Sequence, residues 1–531
     1  MWVLIEVIIL RPEYLPQGLM LLSKYNSMRI KLLLLSILAS ILFWSCEDEL
    51  EKLPLLQTMD GNYYISETQA FEAIVASYDP LQYNFSAGVY HFRWFLGNFT
   101  THDVIPGGSG PNDQPQLQAF NSFSYVPSNI HLNSDWTAQY QGIYRTNALI
   151  NMLPEINMND STKSQMMAEG KFLRAFYYFN LVTAYGGVPL VDHVLAPTEF
   201  QMGRASEDEI WDFIELNLEE AIADLRLRSE LSYDDYGRAT KGAARALLLK
   251  TLVYREKWSD AASLGEIIIN TNQYSLDADY EDIFTIAGEN GPGSIFEIQR
   301  SSQGGGYWGN VNGANDGNLA VVYQLPRGAY GGWGFNIPQQ NFVNEFESGD
   351  PRLNASVFQI GDELCDRGTL SKSSTGFDHD YYSKKYFACR SEHELISIGD
   401  PVMNGEVNDR VIRYADVLLL TAEAHYHQGD ESEAKILVNQ VRARARRSAS
   451  DPDAVLADIT SSGATLLSAI YHERDVELGL EGEKFFDLVR TGRAATILAD
   501  LGFEEGTHEH FPIPQRQIDL SGGNMTQNDG Y

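Results

Sequence analysis

The segment that decides the fold reads Leu418-Leu-Leu-Thr-Ala-Glu-Ala-His-Tyr-His-Gln-Gly429-Asp-Glu-Ser-Glu-Ala434. It combines an apolar helical stretch, a polar turn at Gly429 and a returning helix that carries alanine. The segment from Leu247 through Trp258 to Ala262 has the same form. Because small residues let neighbouring helices approach closely, stacked pairs of this kind bury a shared core. The repeat therefore predicts a scaffold of helical hairpins.

Helical patterns also fill the N-terminal half of the chain. Periodicity begins near Glu67 to Tyr78, and a run from Ala168 to Val182 stops at Gly186-Gly187-Val188-Pro189, where glycine and then proline end a helix. Another helix is predicted from one apolar face, formed by Trp136, Tyr140, Ile143, Tyr144 and Asn147.

Residues 276–410 have a different character. Glycines cluster there among aromatic residues, and short runs such as Ser294 to Gln299 alternate in polarity as strands do. We expect a loop-rich insertion that is displayed on the rigid helices and that carries binding residues.

Two separated signatures resemble those of one known family. The N-terminal signature runs from Glu169 to Pro189. The C-terminal signature comprises Arg413-Tyr-Ala-Asp-Val, Glu473-Arg474, Glu477-Leu478, Glu481-Gly482, Phe486-Asp487, Arg490, Pro512-Ile-Pro514 and Gln527-Asn528. Together they resemble the SusD/RagB family of outer-membrane nutrient-binding lipoproteins, over most of residues 47–531.

The resemblance implies a mainly α fold, a tetratricopeptide-like helical-pair superhelix with a loop-rich insertion that carries short strands. It also implies a non-catalytic role in which the protein binds an oligosaccharide or polysaccharide and delivers it to a SusC-like TonB-dependent outer-membrane transporter. Some members of the family serve peptide uptake instead, so a peptide-binding importer subunit remains an alternative. A helical scaffold for protein assembly, without a small ligand, is a further one.

The N-terminus predicts export and lipidation. Residues 1–45 are an upstream extension followed by a signal peptide, whose start we expect at Met28. The small residue Ser45 directly before Cys46 resembles the end of a bacterial lipobox, which makes Cys46 the predicted lipidation site. The acidic triplet after it, residues 47–49, resembles a surface-export signal of Bacteroidota lipoproteins. We therefore predict a lipid-anchored, surface-exposed protein of the cell outer membrane.

The remaining domain organisation follows from composition. Residues 46–65 are acidic and sparsely patterned, which suits a tether, and residues 66–531 contain no linker that would separate independent domains. We predict a single SusD-like α-helical domain there, with the ligand-face insertion at about 276–410.

The formal net charge of −33 argues against nucleic acid as a partner, because the field of the protein repels phosphate. The basic run Arg442 to Arg447 ends a helical pattern, where cations complement the helix dipole. We predict a helix terminus there.

The candidate ligand site combines aromatic residues with planar polar side chains. Sugars present C–H faces to aromatic rings and hydroxyl groups to such polar side chains. Within the insertion the candidates are Tyr307, Trp308, Tyr323, Arg327, Tyr330 and Trp333. Their glycine-rich flanks favour exposed rings, although about half of such rings are expected to pack the insertion onto the helices. Trp94 and Asn98 form a second candidate pair, for which core packing is the rival interpretation.

Other chemistry has little support in the sequence. Glu473, Glu477 and Glu481 recur at a four-residue spacing, which could suit a surface glycoside hydrolase. Arg474, Lys484, Arg490 and Arg493 are nearby ion partners, so we interpret the three carboxylates as structural and predict no catalytic residue, no metal site and no cofactor. Cys365 and Cys389 could form a disulfide bond or remain as two thiols.

Overall fold

The computed structural model describes residues 66–83, 93–301, 317–387, 389, 391 and 405–531. In chain order the helices are α1 (Glu67–Tyr78), α2 (Arg93–Asn98), α3 (Pro115–Gln118), α4 (Ile130–Met152), α5 (Asp160–Tyr185), α6 (Glu207–Asp224), α7 (Lys241–Tyr254), α8 (Trp258–Asn270), α9 (Ala320–Gln324), α10 (Gln340–Glu345), α11 (Arg352–Ser356), α12 (Lys372–Thr375), α13 (Tyr414–His427), α14 (Glu431–Arg446), α15 (Ala464–Glu477), α16 (Lys484–Arg490), α17 (Ala494–Ile497) and α18 (Gln515–Leu520). The strands are β1 (Val104–Gly107), β2 (Ser294–Ile298), β3 (Phe335–Pro338), β4 (Val357–Gln359), β5 (Tyr381–Ser383) and β6 (Asp409–Arg413).

The long helices form a continuous stack. Helices α4 to α8 each pack on the next, α8 packs on α13, and α13 packs on both α14 and α15. The hairpins α7/α8 and α13/α14 are the two repeats that the sequence indicates. They approach very closely, since a Cβ atom placed on Gly265 would lie 2.0 Å from Thr421 Oγ1. The predicted fold class, a helical-pair superhelix with an insertion carrying short strands, is confirmed.

Helix α5 ends where the glycine signal predicts. Asn159 caps its start by accepting a hydrogen bond from the Thr162 amide, and Gly186 ends it with φ +69°. On α4 the predicted inward face is correct for Trp136, Ile143 and Asn147, which are buried, but not for Tyr144, which is 55% exposed. Successive residues of a helix are rotated by about 100° around its axis, and this places Tyr144 at the edge of the buried face.

Short antiparallel sheets attach the insertion to the helices. Strand β2 pairs with β6 at its base, with Ile298 opposite Asp409, and β1 pairs with β3. Strands β4 and β5 form a third pair. The structure also joins Cys365 to Cys389 by a disulfide bond, with the two Cα atoms 5.7 Å apart.

A buried ion network holds the C-terminal helices and the insertion together. Glu477 accepts hydrogen bonds from Arg352, Arg413 and Arg444 at 2.5–3.1 Å, and Glu473 pairs with Arg352 and Arg442. Burial alone would raise the pKa of Glu477, but the three guanidinium groups outweigh it and lower the pKa to about 2. A charge buried in this way requires all of its partners.

The structural interpretation of these carboxylates agrees with the network, but their predicted partners are wrong. The neighbouring cations are paired with other carboxylates: Arg474 with Asp416 and Asp487, Lys484 with Asp103, Arg490 with Glu423, and Arg493 with Asp475.

One detail of helix position differs from expectation. Glu481 lies beyond the end of α15, so only Glu473 and Glu477 share its face. It bonds Arg413 and Lys385. The basic run does end a helix, since α14 ends at Arg446, and Arg442 and Arg444 also take part in the buried network.

Candidate functional site

Strand pairing brings the two candidate regions together. The β1–β3 ladder places Ile105 opposite Ile337, which joins the segment after α2 to the insertion. Asn98, on α2, donates hydrogen bonds to Asn336 Oδ1 at 3.3 Å and to the Leu480 carbonyl at 3.0 Å. The sequence-predicted residues Trp94 and Asn98 therefore lie beside Tyr323 and Trp333.

The aromatic rings of this region form a packed cluster. Tyr323 makes an edge-to-face contact with Trp333 at 4.7 Å between centroids and with Trp94 at 6.3 Å. Trp94 and Tyr323 are only 3% and 2% exposed. Burial favours the core-packing alternative for Trp94 and places Tyr323 among the rings that pack the insertion onto the helices, because each packs against neighbouring aromatic residues on several sides.

Two other candidate residues, Tyr330 and Asn98, have structural roles. Tyr330 is buried, and its hydroxyl donates to the Thr369 carbonyl and accepts from the Ser371 amide. Asn98 is buried between Asn336 and Leu480, so its amide secures the α2–β3 contact. Neither is the exposed binding residue that the sequence suggested, because backbone and amide partners already engage its polar atoms.

Trp333 and Arg327 retain accessible surface. The Trp333 amide donates to the Val322 carbonyl, and its carbonyl accepts from Arg327 at 2.7 Å. The turn between them requires Gly332, where a Cβ atom would lie 1.9 Å from the Leu325 carbonyl oxygen. Both side chains are half-buried, so each keeps part of its surface accessible.

Asp113 and Phe377 complete this surface, which we call the Trp333 patch (Asp113, Arg327, Trp333 and Phe377). Asp113 lies 3.3 Å from Arg327 and accepts from the amide and hydroxyl of Ser109. The Arg327 guanidinium lies 5.8 Å from the Phe377 ring. Rings beside a fixed ion pair can stack on sugar faces and donate to hydroxyl groups.

Sequence reasoning missed Asp113 and Phe377. The loop after β1 contains Gly108 and Gly110, a turn signal that could have directed attention to Asp113. Phe377 gave no local signal, since its proximity to Arg327 depends on the tertiary fold. Tyr307, Trp308 and Cys46 lie outside the described residues, and their roles stay predictions.

An internal cavity borders Trp94 but is a poor ligand site. Its volume is about 110 Å³, smaller than the roughly 300 Å³ at which ligand pockets begin. Its charges are already paired, Arg300 with Asp409 and Lys250 with Glu483. We therefore regard the cavity as part of the interior.

The described ranges contain neither a metal-binding cluster nor a helix suited to span a membrane. No group of three or more histidine, cysteine, aspartate or glutamate side chains there is arranged to hold a metal ion. Over the same ranges, no helix combines the length and apolar character that crossing a membrane requires.

Family models match two parts of the chain. The model described as the SusD family matches residues 292–531, and the model described as starch-binding, associating with outer membrane, matches residues 70–252. SusD-like protein P38 from Formosa agariphila is 26% identical over an alignment of 518 positions, which covers 90% of this chain and 94% of that protein.

Solved structures give the same result. A laminarin binding SusD-like protein is 33% identical and superposes with a TM-score of 0.79, and the match covers 88% of this chain and 100% of that chain. Surface glycan-binding protein A from Bacteroides thetaiotaomicron, in complex with laminarihexaose, is 25% identical with a TM-score of 0.74, covering 87% of this chain and 99% of that chain.

The stacked helical pairs and the loop-rich aromatic surface place this chain in the class of helical-repeat proteins that carry a loop-rich insertion. The two family models and the 33% identical relative make the assignment specific. The chain belongs to the SusD family, which confirms the resemblance of the two sequence signatures.

Proposed function

We propose that this protein is a non-catalytic glycan-binding protein of the cell surface, and that its ligand is of the laminarin type. The observation that carries this proposal is the 33% identity to a laminarin binding SusD-like protein across the whole of that chain. The Trp333 patch supplies suitable chemistry, with a half-buried indole and a guanidinium beside Asp113. Trp308 and Tyr307 are further proposed binding residues.

The remainder of the proposal concerns location and partner. Lipidation at Cys46 would anchor the chain in the outer membrane, and the acidic triplet that follows would direct it to the outer face. A SusC-like TonB-dependent transporter would receive the bound glycan. The strongly negative charge of the protein is consistent with a neutral ligand and argues against nucleic acid.

The carboxylates at Glu473 and Glu477 support binding without hydrolysis at this pair. A glycosidase acid needs a carboxyl group whose pKa is raised, whereas that of Glu477 is lowered to about 2 and its oxygens are occupied by arginines. Incubating the protein with laminarin and measuring new reducing ends tests this part. Sustained turnover that Glu473→Gln abolishes would contradict it.

Calorimetric titration with laminarihexaose and laminarin tests ligand binding. We expect the wild type to bind both, and Trp333→Ala to weaken hexaose binding about threefold to tenfold, the loss expected for one stacking ring. Tyr233→Ala is the matched control, because Tyr233 is an aromatic residue that is 85% exposed and lies outside the patch. It should bind as the wild type does.

Two results would overturn the proposal. One is the absence of binding to laminarihexaose, laminarin and maltohexaose alike. The other is hexaose binding by Trp333→Ala that matches Tyr233→Ala, which would remove the patch from the site.

A further inference from the structure

A second groove runs along helix α4, and we call it the α4 groove. Its volume is about 370 Å³, and it is bounded by Trp136, Tyr140 and Tyr144 of α4, by Phe200, and by Leu520 of α18. Among the described residues that line it, none carries a charge, although the chain has a formal net charge of −33. A cation, a phosphate or a strongly charged partner would find no complementary group there.

Three rings form a stripe on the α4 wall of this groove. Trp136, Tyr140 and Tyr144 follow one another at four-residue spacing, and the first two rings are 5.1 Å apart. The Tyr140 hydroxyl donates to the Pro189 carbonyl at 2.7 Å, which fixes that ring. Tyr144 is 55% exposed, and Phe200 on the other wall is 61% exposed. The groove therefore combines a fixed ring, that of Tyr140, with two exposed rings, those of Tyr144 and Phe200.

Two amide side chains lie among these rings. Gln517 donates from Nε2 to Asn133 at 3.0 Å, so its amide is held on α18. Gln141 lies on α4 between Tyr140 and Tyr144 and is half-buried. Planar amides between exposed rings suit a ligand that has both C–H faces and hydroxyl groups. A purely apolar peptide would offer no hydrogen-bonding group to the Gln141 amide.

We propose that the α4 groove is a second carbohydrate subsite, which takes a neutral glycan chain by stacking on Tyr144 and Phe200. The inference rests on the proposed function. It adds a site formed by the helical scaffold to the Trp333 patch formed by the insertion. A long glycan that engages both sites on one molecule, or on neighbouring molecules at the cell surface, is held more tightly than a short one.

Full-length Tyr144→Ala and Phe200→Ala variants test this subsite, with Tyr233→Ala as the matched control. In calorimetric titration with laminarihexaose, we expect two sites on the wild type and one on each groove variant. We also expect Trp333→Ala to retain the groove site. Laminarin affinity should fall about threefold to tenfold in Tyr144→Ala and stay unchanged in Tyr233→Ala. Unchanged thermal unfolding verifies the fold, since both groove rings are exposed.

Hydroxyl-radical footprinting locates the ligand directly. Laminarihexaose should protect Tyr144 and Phe200 relative to Tyr233 of the same molecule. A single hexaose site that Trp333→Ala removes and Tyr144→Ala leaves intact would overturn the α4 subsite while preserving the proposed function. Protection of Tyr144 by an apolar peptide, and not by any glycan, would overturn it as well. Failure of the wild type to bind any glycan would refute the proposed function itself.

Discussion

Glu477 is the residue on which the scaffold depends most clearly. It is fully buried, and three arginines from different elements donate to it. Arg413 comes from the end of β6, Arg444 from α14 and Arg352 from the insertion. The sequence predicted a structural role from nearby cations, but it could not identify these partners because they lie 33 to 125 residues away.

We predict that Glu477→Gln destabilises the fold by about 3–5 kcal/mol, because the substitution leaves buried guanidinium groups without a compensating charge. Urea unfolding measures the change. Glu281→Gln is the control, since Glu281 pairs with Lys384 at an exposed site, and its loss should cost at most about 1 kcal/mol. A Glu477→Gln midpoint equal to that of Glu281→Gln would contradict the prediction.

The pH dependence of this effect has a definite sign. The folded-state pKa of Glu477 is about 2, below the value of about 4.3 expected in the unfolded chain. Its contribution to stability is therefore complete above about pH 4.3 and is lost as the pH falls towards 2. The difference in stability between wild type and Glu477→Gln should shrink over that window.

Helices α4 and α5 are joined by a very close approach. A Cβ atom placed on Gly142 would lie 2.2 Å from the Tyr177 ring, whose hydroxyl donates to the Ser77 carbonyl. Long helices and their stop signals could be predicted from sequence, since periodicity and glycine act locally. The close approach could not, because a helical glycine has the same local pattern whether it faces solvent or a tyrosine.

Gly142→Ala should therefore destabilise the protein by about 1–3 kcal/mol, because the buried Tyr177 ring must move. Gly170→Ala on α5 is the matched control. There a Cβ atom would meet only side-chain ends, those of Ile150 at 3.2 Å and Leu149 at 3.4 Å. Since alanine favours a helix by up to about 1 kcal/mol over glycine, the control should be neutral or slightly stabilising. Equal thermal midpoints for the two variants would refute the packing argument.

At the scale of the whole molecule, a helical scaffold carries an insertion with the ligand candidates on it. The sequence predicted this division from composition and from the two signatures. The sequence did not show which aromatic rings are exposed. The burial of Trp94, Tyr323 and Tyr330 depends on strand pairing and on contacts between distant segments. Trp333 also packs against Tyr323, but its side chain is only half-buried.

The predicted lipid anchor also belongs to this scale. We expect Cys46→Ser to shift the protein out of the outer-membrane fraction and to abolish its accessibility to protease on intact cells. Ser45→Ala is the control, because it keeps a small residue before the cysteine and should leave the location unchanged. Retention of Cys46→Ser in the outer-membrane fraction would contradict lipidation at this position.

The β2–β6 sheet has an evolutionary consequence. It fixes the two ends of the insertion side by side, with Ile298 opposite Asp409. Once the ends of a loop are held, doubling its length costs only about 0.6 kcal/mol in closure entropy. Insertions and deletions between these ends are therefore nearly neutral for the helices where they leave Arg352 and Lys385 in the buried ion network. Descendants of one scaffold could acquire new ligand preferences by changing the other segments of this loop while the residues of the network stay in place.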